Sequence, residues 1–149
     1  MAQDAALMEE NLLVLADAGT EIRHPLFERF FEAFPERRPT FYNLEASSRR
    51  MTDETLQMMV GLANGESWVG PLVAELTFTH RSYGYLPDAE YEAFIQMTVA
   101  EVASATGSSW TDAHAAAWRR QADRLTEMIV HDRGEWTRIM PGAVSAPPE

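Results

Sequence analysis

Four histidines, His24, His80, His114 and His131, are the side chains best suited to metal ligation or proton transfer near neutral pH. They are not equivalent. His80 continues the apolar series Val69, Val73, Leu76 at helical spacing, so its imidazole points in the direction of an apolar face. Two readings are open at this point: a core histidine with one ring nitrogen bonded to a backbone carbonyl, or a metal ligand facing a dry cavity. His24 precedes a proline at a helix start and His114 lies in the first turn of a last helix, so both are expected at the surface. His131 falls near the end of that same helix, with no carboxylate pair at metal-ligand spacing.

Other chemistries are excluded by residue type. The chain has no cysteine, which removes disulfides, thiolate metal sites and thiol catalysis together. All 12 basic residues are arginine, so Schiff-base chemistry and a phosphate-loop lysine are also absent. Glu21 and His24 have the Glu-x-x-His spacing of a carboxylate-bridged di-iron site, but Pro25 follows directly and no second copy exists. There is no Gly-x-Ser-x-Gly, His-Glu-x-x-His or Gly-rich phosphate loop. Arg119, Arg120 and Arg124, interleaved with Asp123 and Glu127, read as a solvated, ion-paired face.

A net charge of -11, from 23 acids, argues against nucleic acid and anionic membranes as partners, because both are polyanions. No apolar run approaches the ~20 residues of a membrane span. The acidic start (Asp4, Glu9, Glu10) lacks the basic region of a signal peptide, so a cytoplasmic location is expected.

The elements that must position His80 read as helices. Met8, Leu12 and Leu15 form one stripe ending at Gly19; Pro25 then opens a face of Phe27, Phe30, Phe31 and Phe34. Pro35 and Pro39 bracket a turn before Phe41 and Tyr42, and the polar residues 43–51 read as a loop. Thr52, Asp53 and Glu54 then look like a helix start, with Leu56, Met59, Val60 and Ala63 following and Gly65 as the stop. A helix from about Ser67 leads to His80, and Gly84 and Pro87 break the chain. One more carries Tyr91, Phe94, Ile95, Thr98 and Val102 to Gly107. Thr111 and Asp112 open the last, with Trp118, Ala122, Leu125 and Ile129 on one face. The chain therefore reads as all-α, six to seven helices in one domain over residues 1–140, with 141–149 (PGAVSAPPE) expected as a disordered tail. One inward histidine, an apolar pocket and many aromatics suit a flat hydrophobic cofactor.

Three segments, GTEIRHPLFERFFEAFPERRPTF (Gly19–Phe41), HRSYGYLP (His80–Pro87) and GSSWTDAHAAAWRRQADRLTEMI (Gly107–Ile129), resemble the globins, in family order and near family spacing. The chain is most similar to bacterial single-domain haemoglobins and to the haem domain of flavohaemoglobins. The resemblance implies the globin fold around a haem pocket, haem b as cofactor, and His80 as the proximal iron ligand. It also implies Leu76 packing beneath the haem, Phe41 stacking on the porphyrin, and Trp118 as the tryptophan common in the last helix. Tyr85, Tyr91 and Phe94 complete the implied proximal and rear walls. The function implied is reversible binding of oxygen, CO or NO, by a monomer or homodimer.

Departures from the family pattern narrow that expectation. Phe27 stands where relatives carry an oxygen-binding tyrosine; the distal polar position falls at Thr52, or at Met51 if the alignment slips by one, and Leu56 then covers the iron. With no strong donor there, the resemblance implies faster oxygen release and relatively better binding of CO or NO, unless a water or Tyr42 supplies the hydrogen bond. Arg133, beside Asp132, takes the position of a glutamate that in enzymatic relatives works with a tyrosine on the proximal histidine. NO dioxygenase or weak peroxidase activity with a separate reductase is the enzymatic alternative, and a haem-free regulatory module of the same fold is another.

Overall fold

The structure is a computed structural model that describes residues 2–83 and 86–140. It is all-α, and no strand occurs among the described residues. The helices are α1 (Ala2–Ala18), α2 (Arg23–Ala33), α3 (Leu44–Ala63), α4 (Val69–His80), α5 (Asp88–Thr106) and α6 (Asp112–Ile139). Three 3-10 turns, Pro35–Thr40, Arg81–Tyr83 and Gly107–Ser109, join them. The expected tail and Tyr85 lie outside the described residues. Among those residues no helix is long and apolar enough to cross a membrane.

α6 is the hub, packing against α1, α3, α4 and α5. Its buried face holds the predicted stripe of Trp118, Ala122, Leu125 and Ile129, joined by Ala117. Trp118 is fully buried, and its indole N–H donates to Asn11 Oδ1 at 2.8 Å, which satisfies the one polar atom the ring carries into the core. Burying each large side chain of this kind contributes about 1.5–3 kcal/mol.

The arginine-rich stretch of α6 is exposed and ion-paired as expected, but its partners lie on other helices. Arg120 donates through Nε (2.9 Å) and Nη2 (2.6 Å) to Asp4, a buried carboxylate in the first turn of α1, and Gln121 Nε2 adds a bond at 3.0 Å. Arg124 reaches the Leu62 carbonyl of α3 at 3.2 Å. The arginines thus tie three helices together, because acceptors from α1 and α3 lie within reach of their long side chains.

His114 is likewise buried rather than superficial. Thr111 caps α6, accepting from the His114 backbone N–H, while its own N–H donates to His114 Nδ1 at 3.0 Å. Nε2, left as the protonated nitrogen, donates to Glu10 at 2.8 Å. A histidine at the third helical position thus plays the part usually taken by glutamate.

The largest correction concerns residues 43–51. They are not a loop: α3 begins at Leu44, and Thr52 sits in its middle. Asn43 supplies the cap, its side chain accepting from Ala46 N–H at 3.1 Å. Two carboxylate–arginine pairs at i, i+4, Glu45–Arg49 (3.0 Å) and Arg50–Glu54 (2.9 Å), hold the polar first turns, and Glu45 also pairs with Arg23 of α2 at 2.9 Å. Polarity here marks an exposed helix face. α3 and α4 meet closely at their joined ends: a Cβ on Gly61 would lie 2.7 Å from Val69 and 2.8 Å from Trp68, so only glycine fits there. Gly65, with φ +69°, makes the turn between them.

Candidate functional site

His80 ends α4, and its Nδ1 lies 2.7 Å from the carbonyl oxygen of Leu76, one turn earlier. A carbonyl can only accept, so the proton sits on Nδ1 and Nε2 carries the lone pair. Nε2 makes no hydrogen bond with any described residue. Burial holds the imidazole below the ordinary histidine pKa, against a smaller upward pull from the Leu76 hydrogen bond, and favours the neutral form. The ring is flanked by Tyr91 of α5 (centroids 5.8 Å apart) and Tyr83 (6.1 Å).

Tyr91 is itself desolvated, and burial pushes its phenol up to about 12. The Arg133 guanidinium lies 5.1 Å from its ring centroid and pairs with Asp88. Glu90, the carboxylate next in sequence, is held elsewhere: Arg37 grips it with two bonds of 2.6 and 2.7 Å, fastening the 35–40 turn to α5. Tyr91 is thus matched with a cation.

A second group forms around Phe27. Its ring makes edge contacts with Phe41 (5.7 Å), Phe94 (5.5 Å), Phe30 (6.2 Å) and Phe31 (5.8 Å). Leu44, Met51 and Met97 pack against the same cluster. α5 joins the two groups, since Phe94 follows Tyr91 by one helical turn. Tyr42 is 97% exposed and cannot supply a donor to this interior.

The expected α3 residues need a different register. Arg50 and Glu54 lie near enough to His80 to act on its charge, and Gly61 touches α4, so these three mark the face of α3 toward α4. At 3.6 residues per turn, Met51 is about 80° from the centre of that arc, Leu56 about 140° and Thr52 about 180°. Met51 packs with Phe27, whereas Leu56 packs with the main core cluster and Thr52 is buried with its hydroxyl unpartnered. Met51 thus lies with the Phe27 cluster, and Leu56 with the cluster that also holds Leu72, Leu76 and Tyr91.

A cavity of about 530 Å³ lies elsewhere, between α2 and the start of α3, lined by Arg23, His24, Glu28, Glu32, Arg38 and Glu45 over Phe27 and Phe31. Its charged rim and the absence of His80 set it apart from the His80 site. Glu21 and His24 stand 4.0 Å apart on the surface, and His131 is exposed beside Asp132. No cluster of three or more His, Cys, Asp or Glu able to hold a metal ion exists among the described residues.

No protein-family model, curated protein or solved structure matches this chain.

The donor set bears on haem directly. With a single imidazole and no carboxylate or thiolate cluster, a metal on His80 would have to bring its other ligands with it, as porphyrin iron does. Leu72, Leu76 and Tyr91 near His80, and Phe41 and Met51 on the Phe27 cluster, are apolar or aromatic yet only half-buried. These residues fit a flat apolar group ligated at one axial position.

Proposed function

We propose that this chain is a haem-binding globin that takes up a diatomic gas (oxygen, CO or NO), with His80 as the proximal ligand. The observation that carries the reading is the 2.7 Å hydrogen bond from His80 Nδ1 to the Leu76 carbonyl, which leaves Nε2 as a lone-pair donor. Haem would supply reversible gas binding at its remaining axial position. The chain's part is to orient one imidazole and keep water away. The Leu76 carbonyl fixes the tautomer and strengthens Nε2 as a donor. Phe27, Phe41 and Phe94 form an apolar wall without a hydrogen-bond donor, which favours rapid release of oxygen over tight retention. Arg133 beside Tyr91, in place of a carboxylate, withholds the electron push expected of a peroxidase-like site. A net charge of -11 favours an electron donor with a basic docking face.

The test is titration of the purified chain with hemin. The expected result is a Soret band at one equivalent, lost in His80→Ala and restored in His80→Gly by added imidazole. A chain that takes up no hemin overturns the reading in favour of a haem-free helical module.

A further inference from the structure

The cavity of about 530 Å³ between α2 and the start of α3 plays no part in the His80 site, and its charges do not all pair with one another. Arg23 is gripped by Glu45: Nη1 donates to the backbone carbonyl at 3.1 Å and Nη2 to the carboxylate at 2.9 Å. The remaining charges around the cavity are left over. Glu28 and Glu32, one turn apart on α2, make no ion pair with any described residue. The Arg38 guanidinium lies 5.4 Å from the centroid of the Phe31 ring and has no carboxylate partner among the described residues. A further group is buried: Arg23 is 7% exposed, yet its Nε–H has no acceptor, and the Glu21 carboxylate oxygen, 3.7 Å away, is beyond hydrogen-bond reach. A buried charged donor left unpaired is destabilising, so an acceptor supplied from the cavity would be favoured.

We propose that this cavity binds a small zwitterion, an ammonium and a carboxylate joined to an apolar or aromatic body, as in a free α-amino acid. The ammonium is met by Glu28 and Glu32. The carboxylate is met by Arg38, whose long side chain can follow it, and by the Arg23 Nε–H. Phe27, Phe31 and Leu44 supply the apolar surface for the body of the ligand. The unpaired charges decide the class: a purely cationic ligand leaves Arg38 without a partner, and a purely anionic one meets two uncompensated carboxylates. The volume lies within the ~300–1,000 Å³ of small-molecule pockets. The site shares only Phe27 with the haem reading and stands whether or not haem binds.

The experiment is calorimetric titration of the purified chain at about pH 6, where all the probe groups are charged, with three probes sharing one phenyl body. These are L-phenylalanine, its methyl ester, which keeps only the ammonium, and 3-phenylpropionate, which keeps only the carboxylate. L-Phenylalanine should bind at one site per chain, and each single-charge probe about 10-fold more weakly. Glu28→Gln combined with Glu32→Gln should weaken L-phenylalanine about 10-fold without weakening 3-phenylpropionate, whereas Arg38→Gln should weaken both and spare the ester. Glu36→Gln, an exposed change outside the cavity, should alter none of them. Glu28, Glu32 and Arg38 are exposed, so each variant should melt as wild type does. Either single-charge probe binding as tightly as L-phenylalanine overturns the proposal. So does L-phenylalanine binding that ignores both sets of substitutions, or no heat from any probe up to ~10 mM.

Discussion

The Asp4 clamp offers the most direct check on how α1, α6 and α3 are held in register. Asp4 is 2% exposed and accepts three hydrogen bonds, two from Arg120 and one from Gln121, itself 1% exposed. Asp4→Asn removes the charge and replaces one acceptor oxygen with an N–H₂ that meets a donor. Hydrogen bonds to charged groups contribute roughly 1.5–3 kcal/mol each, and breaking a fully buried pair costs about 3–5 kcal/mol. The Arg120 side chain is 54% exposed and can recover water contacts, so the loss should fall nearer 2–3 kcal/mol. At about 2–4 °C per kcal/mol for a chain of this size, the melting temperature should drop by roughly 4–12 °C. The pH dependence carries a definite sign. The Arg120 hydrogen bonds outweigh desolvation and hold the Asp4 pKa below its ordinary 3.8, so the folded state binds this proton less readily than the unfolded one. Its stabilisation is fully present above that value and is lost as pH falls through the lower, folded-state pKa. Urea unfolding of wild type and Asp4→Asn from pH 7 to pH 2 should show a constant difference down to about pH 4 and a shrinking one below. A difference under ~0.5 kcal/mol at pH 7, or one that persists undiminished to pH 2, refutes the reasoning.

Other perturbations follow from single contacts. Trp118→Phe removes the donor to Asn11 and leaves a buried amide oxygen unpaired, so unfolding free energy should fall by about 1–3 kcal/mol in a denaturant titration. Gly61→Leu drives a side chain into Val69 and Trp68 and should cost about 1–3 kcal/mol, whereas the same change at Gly70, where nothing lies within 4 Å, should be near neutral by thermal melt. Arg37→Lys cannot reproduce the two-bond grip on Glu90 and should raise amide hydrogen exchange in residues 35–40 with little effect on α6. Phe27→Tyr places a hydroxyl in a donor-free wall and should slow oxygen dissociation by ~10-fold, as measured by stopped flow; an unchanged rate would show that another group already holds the gas.

The sequence shows some of this architecture clearly and hides the rest for identifiable reasons. Apolar spacing alone places α1, α2 and α5, which end at a glycine or an aromatic–proline break, and the start of α6, capped by Thr111; α6 itself runs on to Ile139, past the end expected near His131. It fails at the start of α3, where the buried stripe passes through Ser48, Thr52 and Thr55. Those side chains read as polar in a row of letters, yet the hydroxyls of Ser48 and Thr55 bond back to the carbonyls of Glu45 and Met51 and so can be buried. The long-range roles of Arg120, Arg124 and His114 were equally invisible, since their partners lie 62 to 116 positions away.

That missed stretch also decides the chemistry of the site. The order in which side chains face α4 is set by where α3 is anchored, and the anchors, the Asn43 cap and the Arg23–Glu45 pair, lie at its first turn, far from His80. A helix rotates by about 100° per residue, so reading the pattern one residue out exchanges a thioether for a hydroxyl against the Phe27 cluster. Phe27 and Phe94 then act as a register stop: they accommodate Met51, while Thr52 and Leu56 pack on other parts of the interior. Which α3 side chain meets the Phe27 cluster is accordingly a consequence of a part-buried ion pair and a helix cap. Weakening Arg23–Glu45 with Glu45→Gln should raise amide hydrogen exchange at the start of α3 before it does so at the end of α4, since the position of His80 depends on the Leu76 carbonyl of its own helix.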